Sequence, residues 1–193
     1  MDAGQDTDES LMLRYCGGDY AAFEALYQRH GRGLYRFIAW QCPRTDWVEE
    51  IVQDAWMSLH RTRENYQPTA AFKTLLYQIA RNRLIDLLRQ RNAVLATDLV
   101  AGDEEYDILE HLLAQQEVGD APEDVLERRQ MQQLLMRAIG RLPHEQKEAL
   151  VLHQFSELSL AEIARMTGAK EETVKGRLRY AMQKLRQTMA ESV

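Results

Sequence analysis

The sequence has little of what secreted, membrane-spanning or metal-binding proteins need. Its 193 residues include only two cysteines, Cys16 and Cys42, which is too few for a zinc site or a disulfide framework. No run approaches the roughly 18 consecutive apolar residues of a membrane-spanning helix, and the N-terminus has no basic region followed by an apolar one. These absences predict a cytoplasmic protein without membrane insertion and without a metal or other cofactor.

Signatures of catalysis are missing as well. The five histidines are scattered, there is no glycine-rich phosphate loop, and no serine or cysteine stands in a recognisable nucleophile pattern. We therefore predict that the protein has no catalytic residues and is not an enzyme.

The charge is unevenly distributed, although the formal net charge is only -6. Residues 1–10 contain four acids and no Lys or Arg, and residues 92–127 contain eleven acids and again no Lys or Arg. Basic residues exceed acids by four in residues 11–91 and by five in residues 128–193. Two basic blocks separated by an acidic one predict two regions that can attract a polyanion such as nucleic acid.

Apolar residues recur at helical spacing in both basic blocks, and no segment shows the alternation of a strand. Breaks at turn residues such as Gly18 and Pro68 divide the blocks into helices. The predicted helices are roughly 8–16, 20–41, 45–62, 70–91, 128–142, 144–155, 160–167 and a last one from 171. We predict an all-α protein with four parts: an acidic N-terminal tail (1–10), a helical domain (11–92), an acidic linker (93–127) and a second small helical domain (128–193).

The second domain contains the pattern of a helix-turn-helix. Ser159 and Glu162 form a capping box at the start of a short helix, and Gly168 follows at a position suited to a left-handed turn. The small Ala164 allows the two helices to cross closely, and the apolar Val174 fills the space between them. This spacing predicts a DNA-binding motif.

The second helix of this motif has a basic outer side, because its apolar residues form a stripe along the other side. Cations on the outer side can neutralise phosphates, and arginine can bind a guanine edge in the major groove. The alternative is the solvated basic face of an ordinary helical bundle. The candidate DNA-binding residues are Thr173, Lys175, Gly176, Arg177, Arg179 and Tyr180.

A second basic region is the predicted helix 70–91, which contains "FKTLLYQIARNR". The polar loop "TRENYQPTA" precedes it. Basic and aromatic side chains mixed in this way suit a single strand whose bases have left the duplex stack. For the aromatic residues, the alternative is an ordinary place in the core. The candidates from this pattern are Tyr66, Phe72, Lys73, Tyr77 and Arg81.

Four segments resemble, in the same order, the group IV or extracytoplasmic-function (ECF) sigma factors of bacterial RNA polymerase. "AFEALYQRHGRGLYRF" resembles the first conserved helix of that family, and "VEEIVQDAWMSL" resembles its core-binding helix. "YQIARNRLIDLLRQR" resembles its −10 helix, and residues 141–186 resemble its −35-reading domain. The resemblance covers roughly residues 21–92 and 130–187, with a linker between them.

The resemblance implies an alternative sigma factor that binds core RNA polymerase and directs promoter recognition and transcription initiation. It implies that Asn82 and the 63–69 loop, with Arg63 and Asn65, contact a flipped-out base of the melted −10 element. It implies that the outer side of the last helix contacts the −35 duplex, and that an anti-sigma factor is a further partner. The residues implied to face the clamp helices of the β′ subunit are Glu49, Glu50, Gln53 and Asp54.

Two other classes of protein remain possible from the residues. A two-domain helix-turn-helix regulator that acts on duplex operator DNA would explain the last two helices but not the arginine-aromatic helix in the first domain. A purely protein-binding helical adaptor is favoured by neither basic block.

Overall fold

The structure, a computed structural model, describes residues 6–42, 44–95 and 122–191. Within these ranges it contains eight α-helices, one short 3₁₀-helix and no β-strand, which confirms the predicted all-α fold. The chain forms two compact units, of which the first comprises most of the described N-terminal residues and the second includes 122–191.

The N-terminal unit contains four α-helices: α1 (Asp8–Cys16), α2 (Tyr20–Ala39), α3 (Thr45–Thr62) and α4 (Phe72–Leu95). A 3₁₀-helix, Arg63–Asn65, follows α3 directly. The helices predicted at 8–16 and 45–62 are confirmed, whereas α4 begins later and ends later than predicted. It continues because Ala93 and Leu95 are good helix formers and no Gly or Pro interrupts residues 92–95.

The core of this unit is formed by the apolar faces of its helices. Their spacing of three and four residues brings large side chains together on one side of each helix. Buried residues that contribute to this core are Leu26, Leu34, Phe37, Val48, Ile51, Ala55, Leu59, Phe72, Leu76, Tyr77, Ala80 and Leu84. A Cβ added at Gly33 would lie only 2.8 Å from the Tyr77 hydroxyl oxygen, so a glycine is needed where α2 passes this ring.

The acidic N-terminal segment is part of this unit from Asp6 onward, so the predicted tail is corrected for its described residues. Helix α1 already begins at Asp8, and Asp6 forms an ion pair with Arg14. The Asp8 carboxylate lies 3.0 Å from Arg29 Nη1 and 2.6 Å from His30 Nε2. Basic groups of α1 and α2 therefore hold the segment, which charge counting along the sequence does not show.

The C-terminal unit also contains four helices: α5 (Pro122–Gly140), α6 (His144–Gln154), α7 (Leu160–Thr167) and α8 (Glu171–Ala190). Helix α5 begins inside the predicted acidic linker, because proline is well tolerated at a first helical position, where its missing N–H costs no bond. The rest of that linker, residues 96–121, lies outside the described residues.

Helix α8 is the centre of the C-terminal unit, since α5, α6 and α7 all pack against it. This arrangement leaves one side of α8 exposed. The buried apolar residues of the unit include Ala138, Ile139, Leu142, Ala149, Leu150, Val151, Leu152, Leu158, Ile163, Ala164, Met166, Val174, Ala181 and Leu185.

The predicted helix-turn-helix is confirmed in α7, α8 and the turn between them. The Ser159 hydroxyl accepts a hydrogen bond from the Glu162 amide, and the Glu162 carboxylate accepts one from the Ser159 amide. Gly168 has φ +66°, the left-handed conformation that glycine adopts most readily. Ala164 and Val174 are buried where the helices meet.

None of the described helices is both long and apolar enough to cross a membrane. In the same part of the chain, no three His, Cys, Asp or Glu residues are grouped so that they could hold a metal ion.

Candidate nucleic-acid and protein-binding interfaces

The exposed side of α8 presents most of the residues predicted to contact DNA. Thr173, Lys175, Arg179 and Tyr180 are all exposed, and the opposite side of the helix packs into the unit. A Cβ added at Gly176 would meet no atom within 4 Å, so the backbone there is open to close approach. Shape and charge therefore both allow this side to lie in a DNA groove.

Arg177 differs from the other predicted residues of α8, because its side chain is half-buried and forms an ion pair within the unit. Its side chain is only 20% exposed, and its Nη2 atom lies 2.9 Å from Oε2 of Glu145 in the first turn of α6. Arg177 lies on the flank of the helix, where α6 is close enough to supply a carboxylate. The guanidinium is thus engaged within the unit and does not project outward.

Arg179 and Tyr180 contact each other on the exposed side of α8. The guanidinium carbon of Arg179 lies 5.1 Å from the centre of the Tyr180 ring, within the range of a cation–π interaction. This contact restricts a long side chain that would otherwise sample many rotamers in water. Tyr180 is 51% exposed, so the ring remains accessible beside the cation.

Acidic groups adjoin this surface at the start of α8. Glu171 and Glu172 occupy its first turn, where the positive end of the helix dipole stabilises them. Lys175 Nζ lies 3.8 Å from a Glu172 carboxylate oxygen, and both side chains are strongly exposed. Such a pair is weak in water, so it leaves Lys175 able to move to a phosphate.

In the N-terminal unit, the loop between α3 and α4 borders a partly open cavity of about 310 Å³. This volume lies at the lower end of the range of about 300–1,000 Å³ found for sites that bind small molecules. The residues that line it are Met12, Leu59, Thr62, Asn65, Tyr66, Gln67, Thr69 and Leu75. The wall thus combines apolar side chains from α1, α3 and α4 with polar side chains from the loop.

Tyr66 is the predicted aromatic residue that lines this cavity. Its hydroxyl oxygen is buried, and no protein group in the described chain forms a hydrogen bond with it. Burial raises the pKa of Tyr66, so the hydroxyl remains protonated at neutral pH. A buried hydroxyl without a partner is costly, so any arrangement that gives it a polar partner is favoured.

Phe72 and Tyr77 do not line the cavity, and their prediction as base-contacting residues is corrected. Their side chains are 0% and 1% exposed. The Phe72 ring packs against His30 at 5.5 Å between centres, and the Tyr77 ring packs against Phe37 at 5.3 Å. For these two aromatic residues, the alternative of a place in the core is the right one.

Arg63 points back toward α1 and α3. Its Nη1 atom donates a hydrogen bond to the His60 carbonyl oxygen at 2.8 Å, and its guanidinium lies 6.0 Å from the centre of the Tyr15 ring. Arg63 therefore shapes the start of the loop rather than extending into the cavity.

Asn82 is exposed on α4, and its side-chain oxygen accepts a hydrogen bond from Gln78 Nε2 at 3.0 Å. Helical spacing puts both residues on the face that begins with Leu75 at the cavity. Lys73 and Arg81 are half-buried on other sides of α4. The structure thus brings Asn65 and Tyr66 together at the cavity and places Asn82 farther along the same surface.

The four predicted polymerase-facing residues share the exposed side of α3. Glu49, Glu50, Gln53 and Asp54 are all exposed, while the opposite side of the helix is buried. Met57, which is 42% exposed, extends this surface by one turn. Sequence reasoning missed Met57, although its spacing from residues 49 and 53 places it on the same face.

Two family models match the chain. The model described as Sigma-70 region 2 matches residues 26–94, and the model described as Sigma-70, region 4 matches residues 132–185. The first match contains α3, the loop and α4 up to residue 94, and the second contains the helix-turn-helix.

Curated proteins similar to this chain include the ECF RNA polymerase sigma factor SigM of Mycobacterium tuberculosis, which is 31% identical over 93% of this chain and 83% of that protein. The ECF RNA polymerase sigma-E factor of Haemophilus influenzae is 30% identical over 91% of this chain and 92% of its own length.

Two solved structures have the same fold. The structure of CnrH in complex with the cytosolic domain of CnrY has a TM-score of 0.66 at 23% identity and covers 97% of this chain and 100% of that one. The sigma factor RpoE from Bartonella quintana, in complex with the anti-sigma factor NepR, has a TM-score of 0.65 at 20% identity and covers 87% of this chain and 96% of that one.

Proposed function

Because the chain belongs to the ECF sigma factors of bacterial RNA polymerase, we propose specific residues for the steps that this family performs. The protein is an alternative sigma factor that binds core RNA polymerase and promoter DNA and directs transcription initiation. Its part is recognition and melting of the promoter, while the polymerase performs the chemistry. We assign core binding and the −10 element to residues 11–92, and the −35 element to residues 128–193.

The observation that carries this assignment is the presence of two different candidate DNA sites in one chain. The exposed side of α8 suits a duplex groove, whereas a cavity under a polar loop suits a single base that has left the stack. A helix-turn-helix regulator of duplex operators needs the first site but has no use for the second.

At the −35 element, Lys175 and Arg179 supply the positive charge and Gly176 allows the backbone to approach. Thr173 and Tyr180 border the same surface. Arg177 contributes indirectly, because its ion pair with Glu145 fixes α8 against α6. Loss of a phosphate contact lowers affinity for all sequences, whereas loss of a base contact also relaxes the preference at one position.

At the −10 element, the cavity receives an unpaired base between Asn65 and Tyr66. The amide of Asn65 and the unpartnered hydroxyl of Tyr66 can bond to the polar edge of that base. Asn82 continues the contact along α4, and the positive charges of Lys73 and Arg81 favour the neighbouring phosphates.

At the polymerase, the exposed side of α3 supplies three carboxylates, an amide and the thioether of Met57. A basic, partly apolar helical surface such as that of the β′ clamp helices is complementary to this set. One sigma factor of the same fold, RpoE from Bartonella quintana, is seen bound to the anti-sigma factor NepR, and we propose that this protein also has an anti-sigma partner.

One experiment separates the three surfaces. Reconstituted holoenzyme is tested for core binding, for duplex −35 binding and for permanganate reactivity of the melted −10 region, with three variants. Glu50→Lys with Asp54→Lys should abolish core binding. Lys175→Ala with Arg179→Ala should lower binding to the −35 duplex. Asn65→Ala with Asn82→Ala should remove permanganate reactivity while core binding is kept.

Matched controls change the same kind of side chain elsewhere. Glu24→Lys on α2 reverses another exposed carboxylate, Lys184→Ala removes a cation from the other flank of α8, and Gln28→Ala removes another exposed amide. If the free chain binds a duplex tightly and core polymerase adds nothing, the chain acts as an operator-binding regulator and the proposal is wrong.

A further inference from the structure

We propose that α1 is the support of the loop between α3 and α4, and that Glu9 is a positioning residue for capture of the unpaired −10 base. The inference rests on the proposed function of the loop, but it concerns a helix that lies outside the segments matched by the family models, which start at residue 26. Glu9 does not line the cavity and acts only through the loop.

The first observation is the way in which α4 begins. The Ala71 carbonyl accepts the amide of Leu75 at 3.2 Å, which makes Ala71 the N-cap of α4. Alanine has no side-chain acceptor for the amides of the first turn. Glu9 provides one instead, because its Oε1 atom accepts a hydrogen bond from the Phe72 amide at 2.8 Å.

The Glu9 contact is stronger than an ordinary neutral cap. A carboxylate near the N-terminus of a helix interacts favourably with the dipole as well as with the amide. It also joins residues 63 positions apart, so it fixes where the loop ends in space.

The second observation lies at the other end of the loop. The Cys16 thiol, in the last turn of α1, bonds to the Arg63 carbonyl oxygen at 2.9 Å. The Tyr15 hydroxyl bonds to His60 Nδ1, and the Arg63 guanidinium lies over the Tyr15 ring. The start of the loop is therefore held by α1 as well.

The third observation is the wall of the cavity. Met12, from the middle of α1, is fully buried and lines the cavity together with the loop residues. Glu9, Met12 and Cys16 follow one another at spacings of three and four, so one face of α1 contacts the end, the wall and the start of the loop.

Helix α1 is itself anchored to α2, so that it can serve as a rigid support. The Asp8 carboxylate accepts a hydrogen bond from His30 Nε2 at 2.6 Å and pairs with Arg29. Burial lowers the pKa of His30, with Asp8 acting in the opposite sense, so a neutral ring can donate its Nε2 proton to the carboxylate at neutral pH. Helix α1 is thereby attached to α2 as well as to the two ends of the loop.

From these contacts we derive what Glu9 does. A loop fixed at both ends before DNA arrives loses less conformational freedom when it closes on a base. Removal of the Glu9 carboxylate frees the end of the loop at Phe72 without removing any group that touches DNA. Capture of the unpaired strand should weaken, while binding of core polymerase and of the −35 duplex should not change.

The test uses holoenzyme and a single-stranded oligonucleotide with the non-template −10 sequence, with affinity measured by fluorescence anisotropy. Loss of a helix cap corresponds to a loss of about three- to thirtyfold in affinity for Glu9→Ala. Glu9→Gln keeps an acceptor oxygen and should restore most of the affinity. Glu24→Ala, which removes an exposed carboxylate of α2, is the matched control and should have no effect.

Each outcome decides the question. If Glu9→Ala binds the strand as the wild type does, while Asn65→Ala binds it weakly, the role of Glu9 is refuted and the proposed function of the loop stands. If neither change affects strand binding, the loop is not the −10 site and both proposals fail. If Glu9→Ala weakens core binding by the same factor as strand binding, α1 stabilises the whole unit and has no positioning role.

Discussion

The two candidate DNA sites are built in opposite ways. In the helix-turn-helix, the capping box and the left-handed glycine are defined by residues that are close in sequence, from Ser159 to Val174. In the loop site, the contacts that hold the chain join residues 47 and 63 positions apart. The first site can be recognised from a short stretch of sequence, whereas the second exists only when α1, α3 and α4 are assembled.

This difference should appear in how each site responds to mutation. A change in the local site should cost the free energy of one cap or one turn. A change in the core under the loop should cost more, because it removes packing that several helices share, and it should affect the loop indirectly.

The largest effect is expected for Phe72→Ala. Replacing a fully buried phenylalanine should lower the free energy of unfolding by about 3–5 kcal/mol, because the ring leaves a cavity between α4 and α2. Urea unfolding of the full chain, followed by the fluorescence of its three tryptophans, measures this loss. Asn65→Ala, at an exposed loop position, should change stability by less than about 0.5 kcal/mol. If the Phe72→Ala protein had normal stability and poor DNA binding, the Phe72 ring would instead be assigned to the DNA-contacting surface.

The second effect compares two glycines of the helix-turn-helix. Gly168→Ala should cost about 1–2 kcal/mol, because an L-residue is disfavoured in the left-handed conformation. Gly176→Ala should stabilise the folded chain by about 0.5–1 kcal/mol, since the position is helical and its surroundings are open. Circular dichroism during urea titration measures both. If both substitutions changed the free energy of unfolding in the same direction, the claim that this site depends on local backbone conformation would be wrong.

The third effect concerns the ion pair of Arg177 with Glu145. A double-mutant cycle with Arg177→Gln and Glu145→Gln should give a coupling energy of about 0.2–1 kcal/mol, because the carboxylate is largely exposed. Urea unfolding of the four proteins supplies the cycle. Additive changes, together with a loss of DNA binding for Arg177→Gln alone, would show that Arg177 is released to contact DNA.

The smallest effect is expected for Glu172→Gln. The exposed pair with Lys175 contributes little, so stability should change by less than about 0.5 kcal/mol. Holoenzyme should bind the −35 duplex slightly more tightly at low salt, because one negative charge beside the phosphates is lost. The gain should fade as salt increases. A gain that persists at high salt would point to a direct contact of residue 172 with a base.

The exposed side of a helix could be predicted wherever the spacing of its apolar residues alone decides which side is buried. The acidic side of α3 and the outer side of α8 follow from spacing, because an apolar stripe fixes which side is buried. Helical periodicity did not predict the surroundings of Arg177, because a residue on the flank of α8 can face either solvent or α6. It also failed for Phe72 and Tyr77, because a basic helix with aromatic residues looks the same whether its rings face solvent or the core.

The sequence by itself determined the all-α fold, most of the helix limits, the helix-turn-helix and the family. Caps, turn glycines and apolar periodicity act over one or two helical turns, so they can be recognised in the printed residues. Only the tertiary structure decided that α1 contacts both ends of the loop between α3 and α4 and that Glu9 caps the helix that begins at Phe72. It also decided that α1 and this loop line a common cavity. Those features depend on contacts between residues far apart in the chain, which no pattern within one or two helical turns can predict.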